Sequence, residues 1–338
     1  MEMFRRLFGQ SGDEPEDHNT QASAIPPGET KSAPNGAVTR ELSDDQANIN
    51  TAELSDDDFG EAEAVGSATR KLPLETVIAS RNAHLQFGQS TDVGMVRTNN
   101  QDSMLSFYYS SRSVEERPDF GLFIVADGMG GHHDGEKASA IVTKAIAHSV
   151  MTNIFMPMLS YQETDHDTPP LTELLVNAIQ TANSDVLSNV PDGGTTVTAT
   201  AIIGNLAYFA HVGDSRAYLI TRDSIEQVTR DHSLVQRLIE LEQLTPEEAL
   251  DHNQRNVLYR AIGQNDSLEV DALTRRLPAQ SYLLLCSDGL WDTVDNETIL
   301  KVVWESKNPQ KACDKLVALA NTKGGRDNIT AVMLHIPS

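Results

Sequence analysis

The chain is poor in cysteine, in aromatic residues, in long apolar runs and in positive charge. Two of its 338 residues are cysteines, Cys286 and Cys313. Their spacing is not that of a metal site, and two thiols exclude a disulfide scaffold and fit a reducing compartment. Cys286 stands in the apolar run YLLLCSDG, as a buried core thiol would. No stretch approaches the roughly 18 apolar residues of a membrane helix, and MEMFRRLFG holds too few apolar residues for a signal peptide. A cytoplasmic protein with no transmembrane segment is expected. Lys and Arg number 26 against 49 Asp and Glu, a net charge of −23. The deficit is spread along the chain, with 16 acids against 7 bases over residues 1–86 and 33 against 19 beyond. So negative a chain does not attract nucleic acid by general electrostatics. Aromatics reach only 5%, yet hydrophobic residues reach 39%, enough for a core.

What is present divides the chain near residue 84. Residues 10 to about 70 are rich in Ser, Asp, Glu, Asn, Pro and Gly and keep neither a strand nor a helix period. Such a composition buries too little apolar surface to offset the entropy of ordering, so 1–83 is expected to be an acidic, mostly disordered extension. It repeats ELSDD at 41–45 and 53–57. A drifting linker and a docking or phosphorylation segment using Ser43, Thr51 or Ser55 both fit that repeat, and MEMFRRLFG could serve as a small amphipathic anchor. From 84 on, strand-like runs (DSMLSFYY, FGLFIVA, TTVTATAII, LAYFAHVG, SYLLLCSDG, NITAVMLHI) come in groups, and helical runs (EKASAIVTKAIAHSVM, LTELLVNAIQTANSDVLSNV, PQKACDKLVALANTK) come in pairs. Residues 233–262 read as a charged helical region. Grouped strands and paired helices argue for an α+β layered domain rather than a βαβ repeat.

The strongest internal signal is an aspartate recurring at strand ends. Asp127 follows FIVA, Asp214 follows YFAHVG, Asp288 follows YLLLCS, Asp327 precedes NITAVML, and Asp102 opens DSMLSFYY. Any one of these could be turn chemistry. Five beside strongly apolar strands suggest more, since neighbouring strands of one sheet lie about 4.8 Å apart and carboxylates at matching ends converge. Converging carboxylates repel unless cations neutralise them, and an all-oxygen set selects hard cations such as Mg²⁺ or Mn²⁺ over zinc.

The segment VADGMGGHHDGE (125–136) packs four glycines, two histidines and three acids into twelve positions. It is not a P-loop, for no GxxxxGK[ST] occurs. Adjacent His132 and His133, with no HExxH and no cysteine cluster, do not make a zinc pair. Close backbone approach and positive φ account better for the glycines.

RTNNQDS (97–103), VADGMGGH (125–132), GGTT (193–196), VGDSRAYL (212–219), TRDHSLVQRL (229–238), LLCSDGLWD (284–292) and GGRDNITAV (324–332) occur in this order. Together they resemble the bacterial branch of the metal-dependent type-2C serine/threonine protein phosphatases, the PPM family, over roughly 84–336. The resemblance implies two packed antiparallel β-sheets flanked by helices, an α-β-β-α sandwich. It makes 84–338 the catalytic domain, with a helical flap at about 230–265. It also implies hydrolysis of phosphoserine and phosphothreonine by in-line attack of a hydroxide bridging two Mn²⁺ or Mg²⁺ ions. Asp127 matches the carboxylate shared by both ions, and Gly128 the residue whose carbonyl binds one. Asp288 and Asp327 match ligands of the other, and Asp214 matches the aspartate of a weaker third metal. Asp102 matches an acid that orients water on the metals. Arg97 matches the arginine that grips the phosphate, and His132 a candidate proton donor. The implied partners are phosphorylated proteins and a cognate serine/threonine kinase, and a monomer is expected.

Three positions depart from the family's pattern. Gln101 stands before Asp102 where many relatives have Glu, Glu242 where relatives usually have Gly, and Asn253 where Pro is usual. The last two bear on the flap and on substrate preference. A second class of function remains: a phosphatase fold kept as a catalytically weak or inactive sensor or scaffold. The complete acid set argues against it. A phosphatase of a stress-type switch acting on one dedicated regulator is a third reading, weakened by the lack of a recognisable sensory domain in the first 83 residues.

Overall fold

The computed structural model describes residues 84–111, 118–131, 133–160 and 169–337. The expectations for residues 1–83 and for His132 lie outside them. In chain order, β1 (Gln86–Asp92), β2 (Asp102–Tyr109) and β3 (Phe120–Gly130) lead into α1 (Asp134–Val150). A π-turn at Met151–Phe155, α2 (Met156–Leu159) and α3 (Leu171–Asn189) follow. Then come β4 (Gly193–Thr195), β5 (Val197–Ile203), β6 (Leu206–Val212), β7 (Arg216–Ile220) and β8 (Ile225–Gln227). The flap region holds α4 (Leu234–Glu240) and α5 (Pro246–Leu250). The chain closes with β9 (Asp271–Arg276), β10 (Tyr282–Cys286), α6 (Asp288–Trp291), α7 (Asn296–Ser306), α8 (Pro309–Thr322) and β11 (Ile329–His335). No helix among the described residues is long and apolar enough to cross a membrane.

The strands form two sheets, one in the order β1-β11-β10-β7-β8 and one in the order β2-β3-β5-β6-β9, with β4 paired to β3. Every pairing is antiparallel. The uninterrupted run FGLFIVA follows from this layering. Phe123 and Val125 of β3 pack with Leu283, Leu285 and Val332 of the other sheet. Leu122 and Ile124, on the opposite face, pack with Val142 and Ile146 of α1 and Leu175 and Ile179 of α3. A strand covered on both faces needs no polar alternation. On the far side, Leu284, Cys286, Ala331 and Met333 pack against Ile299 of α7 and Leu316 of α8. The four layers are helix, sheet, sheet, helix, as expected, and both cysteines are free and buried in them.

Two readings change. β3 continues past Asp127 to Gly130, because Gly128–Gly130 pair with the short strand β4. Asp127 therefore lies inside a strand rather than at its end. The region expected to be helical over 233–262 holds only the two short helices; residues 251–262 turn repeatedly and are pinned by bridges Ser233↔Leu258 and Thr195↔Ile262. Glu242 takes φ +56°. It sits just past α4, where its N–H donates to the Ile239 carbonyl and the Gln243 N–H to the Leu238 carbonyl, both at 2.9 Å. These are the two bonds of a Schellman motif, whose left-handed position favours glycine. The family's glycine at that place thus has a conformational reason.

Candidate active site

The five aspartates gather at one edge of the sandwich, and they come from both sheets. This revises the one-sheet premise. Asp102 opens β2 and lies directly opposite Asp127 of β3. Asp288 follows β10 and starts α6, and Asp327 precedes β11 in the same sheet. Asp214 lies in the connection from β6 to β7, where the chain passes from one sheet to the other. Asp127, Asp214, Asp288 and Asp327 line a cleft of about 270 Å³, with Arg97, Gln101 and Thr196 and, from the flap region, Asn256 and Leu258.

Backbone contacts explain why these residues stand where they do. The Asp127 N–H donates to Thr196 Oγ1 at 3.0 Å, and its carbonyl accepts from the Thr196 N–H and from Thr195 Oγ1, both at 2.8 Å. GGTT is thus the strap that fixes the Asp127 peptide. A Cβ on Gly128 would lie 2.2 Å from the Gly135 carbonyl oxygen and 2.6 Å from that of Gln101. Only a glycine lets β3 pass so close to the first turn of α1. Gly130, at φ +139°, then turns the chain. Asn328 ties the other sheet in: its Oδ1 accepts from the Gln101 N–H at 2.8 Å, and its Nδ2 donates to the Val93 and Asn99 carbonyls at 2.9 Å. Gln101, the departure from Glu, donates Nε2 to the Gly130 carbonyl at 3.3 Å.

The electrostatics are those of crowded anions. Burial, then repulsion from Asp102, Asp288, Asp214 and Asp327, pushes the Asp127 carboxyl well above the usual carboxylate range. Burial, then Asp214, Asp327 and Asp102, does the same to Asp288. Burial raises Asp214 to about 7, with help from Asp231 and against Arg216. Burial raises Asp102 to about 6, although Ser287 Oγ donates to its Oδ2 at 2.8 Å. Arg97 faces this group and donates Nη2 to Asp327 Oδ2 at 2.7 Å. Its side chain is half exposed.

The residues present fit divalent cations. Asp288 Oδ1 and Asp102 Oδ1 are shut away from solvent and have no hydrogen-bond partner, an arrangement that costs several kcal/mol for a carboxylate left bare. A cation satisfies such an oxygen, and an oxygen-only donor set suits Mg²⁺ or Mn²⁺. Among the described residues no three acids, thiols or imidazoles form a finished cation cage.

Arg97, Asp127, Gly128, Asp214, Asp288 and Asp327 border one cleft, and Asp102 lies opposite Asp127 on the neighbouring strand. Thr195, Thr196, Ser287 and Asn328, which hold these residues in place, have no role foreseeable from the sequence beyond their place in the motifs GGTT, CSDG and DNIT.

A site of this kind on this fold defines a class. Residues 96–320 match the family model for protein phosphatase 2C, and the chain belongs to that family. Protein phosphatase PhpP of Streptococcus pneumoniae is 36% identical over 252 residues, which are 73% of this chain and 95% of the relative. The crystal structure of the Mycobacterium tuberculosis serine/threonine phosphatase PstP/Ppp superposes with a TM-score of 0.61 at 34% identity, over 75% of this chain and 99% of the other. A structure of the catalytic domain of PstP in complex with two manganese ions aligns with a TM-score of 0.59 at 33% identity, over 75% and 99% of the two chains. The bacterial, metal-dependent phosphatase reading of the motifs is the one these similarities support.

Proposed function

We propose that residues 84–338 are the catalytic domain of a Mn²⁺- or Mg²⁺-dependent phosphatase that dephosphorylates serine and threonine residues of phosphoproteins and opposes a serine/threonine kinase. The observation that carries this reading is the cluster of acids drawn from both sheets around one cleft, with Arg97 bonded to Asp327. No acid of the set is missing, which disfavours the inactive scaffold. When bound, the divalent ions supply Lewis-acid stabilisation of phosphoryl oxygens and bring the pKa of water from 15.7 to near 7.

The chain's own residues then divide the work. Asp127 and the Gly128 carbonyl from one sheet, with Asp288 and Asp327 from the other, would hold the two ions. Asp214, together with Asp288, would hold a weaker third. Asp102 keeps Oδ2 on Ser287 and leaves Oδ1 bare, so one oxygen is fixed while the other can orient the attacking water. Arg97 exchanges Asp327 for the substrate phosphate, which a guanidinium can bind through two parallel N–H bonds. His132 gives a proton to the leaving alkoxide, a task suited to imidazole near neutral pH. Asn256 and Leu258 border the cleft from the flap, so the flap bears on which phosphoprotein is accepted. We place the protein in the cytoplasm, on the strength of its free buried thiols. We expect it to act as a monomer, since one chain supplies every residue named.

The test is turnover of a phosphothreonine peptide and of an aryl phosphate by the purified chain with Mn²⁺. No turnover of either sinks the reading. EDTA should abolish activity reversibly. His132→Ala should slow alkyl phosphates more than aryl phosphates, and an equal loss on both removes its role as proton donor.

A further inference from the structure

The loop that carries Asp214 is gripped by a histidine to which the reaction assigns no task. His232 is buried, with 1% of its surface exposed. Its Nδ1 accepts the Gly213 N–H at 3.0 Å, and its own N–H donates to the Gly213 carbonyl at 2.7 Å. Accepting that bond requires Nδ1 to be bare, so the proton of the neutral ring sits on Nε2. Nε2 faces Asp271 Oδ2 at 3.2 Å. Arg260 Nη1, 3.1 Å from the same nitrogen, cannot bond another donor and gives its hydrogen to Asp271 Oδ1 at 2.7 Å. Hydrogen bonds from His232 and Arg260 hold the Asp271 carboxyl down to about 2 against the opposing effect of burial.

The same histidine is tied to the flap. Its carbonyl accepts the Tyr259 N–H at 3.0 Å, and the Leu234 N–H donates to the Val257 carbonyl at 2.8 Å. Asn256 and Leu258, beside these contacts, border the cleft. Gly213 turns at φ +110°, and His211 Nε2 adds a second hold on its carbonyl at 3.0 Å. On the other side of Asp214, Trp291 Nε1 donates to the Asp214 carbonyl at 3.0 Å. The aspartate is therefore fixed at the peptide before it and at its own carbonyl, while its carboxylate stands in the cleft.

We propose that His232 is a positioning residue. Through the Gly213 peptide it sets where Asp214 presents its carboxylate, and it couples that position to the flap segment 251–262. The functional consequence rests on Asp214 as a cation ligand; the clamp itself does not.

Asparagine and glutamine separate the two ring nitrogens. Asn places its Oδ1 near the Nδ1 position and can accept the Gly213 N–H. Gln reaches the Nε2 position and Asp271, and leaves the Gly213 N–H without an acceptor. The full chain and its His232→Asn, His232→Gln and Asp214→Asn variants are compared by residue-resolved amide exchange and by Mn²⁺ titration calorimetry. His232→Gln should speed exchange at Gly213 at least about tenfold and weaken the weakest Mn²⁺ site at least about tenfold. Tighter sites should stay within about twofold, and His232→Asn should stay within about threefold of the parent on both readouts. Parental exchange at Gly213 in the Gln variant, or equal losses in the Asn and Gln variants, overturns the proposal. If Asp214→Asn binds Mn²⁺ as the parent does, Asp214 is not a ligand, and exchange at Gly213 alone decides the clamp. Should His232→Gln not fold, Asp271→Ala removes the partner that keeps the ring's proton on Nε2. It should speed exchange at Gly213 in the same direction, and parental exchange there overturns the proposal.

Discussion

Asp102 and Asp127 are direct cross-strand partners, two carboxylates facing each other over the β2–β3 pair. Like charges directly opposite on a sheet are destabilising, so the pair is held by something other than local preference. The same relationship yields a pH dependence. Folded carboxyls with raised pKa hold protons that the unfolded chain has lost, so stability falls as pH rises through their folded values. The values of about 6 for Asp102 and about 7 for Asp214 set the window. His211, held down to about 3 by burial, acts in the opposite sense only below its unfolded value of about 6.5. Between pH 8 and 6.5 the acids therefore dominate. EDTA-treated protein should melt roughly 2–4 °C higher at pH 6.5 than at pH 8, the shift of about 1 kcal/mol in a domain of this size. The increase in Tm on adding Mn²⁺ should be larger at pH 8. Calorimetric melts at both pH values check this, and a metal-free Tm that rises with pH contradicts it.

Removing ligands and removing their supports should differ in degree. Asp127→Asn should abolish turnover and lower the stoichiometry of Mn²⁺ binding. Ser287→Ala frees the fixed oxygen of Asp102 and should cost about 10–100-fold in kcat, as the loss of a group that orients a ligand or a reacting water commonly does. Steady-state kinetics with a phosphothreonine peptide separate the two effects. Parental kcat in the serine variant would remove the role given to that hydrogen bond.

The glycines of DGMGG should not be equivalent. Gly128→Ala drives a methyl into two carbonyl oxygens and should destabilise by at least about 2 kcal/mol, as overpacking against backbone does. Gly131 has nothing within 4 Å of its added Cβ, so Gly131→Ala should stay within about 0.5 kcal/mol of the parent. Urea denaturation of the two variants reads the contrast directly.

Glu242 pays a conformational cost in the left-handed region. Glu242→Gly should stabilise the protein by about 1 kcal/mol, while Glu242→Ala, with its Cβ retained, should give no such gain. The two melting temperatures, measured side by side, test whether the cost lies in the backbone.

Much of the fold was legible because its central strands are apolar on both faces and its helices carry one apolar stripe. FGLFIVA, VTATAII and YLLLC stand out without any partner in view. β9, with the sequence DALTRR, is a partly exposed sheet edge, and its mixed composition hides it. β4 is three residues, two of them glycine, and exists through pairing with β3 rather than through its own propensity. The acids were legible as a recurrence, but their division between two sheets was not. That division follows from the chain changing sheets between β1 and β2, β6 and β7, β8 and β9, and β9 and β10, and nothing in those connections marks it. Ser287 reaches Asp102 across 185 positions, and local patterning carries no trace of such a bond.

The cleft draws Asp102 and Asp127 from one sheet and Asp288 and Asp327 from the other. Its geometry is therefore a gauge of how the two halves of the sandwich are aligned. Sliding one sheet past its mate by a single residue, about 3.3 Å, would leave every strand intact and still part the acids. Core substitutions at Phe123 or Leu285, far from any phosphate, can thus detune the chemistry while the fold survives. Mutational tolerance of the inter-sheet core should accordingly be narrower for activity than for stability.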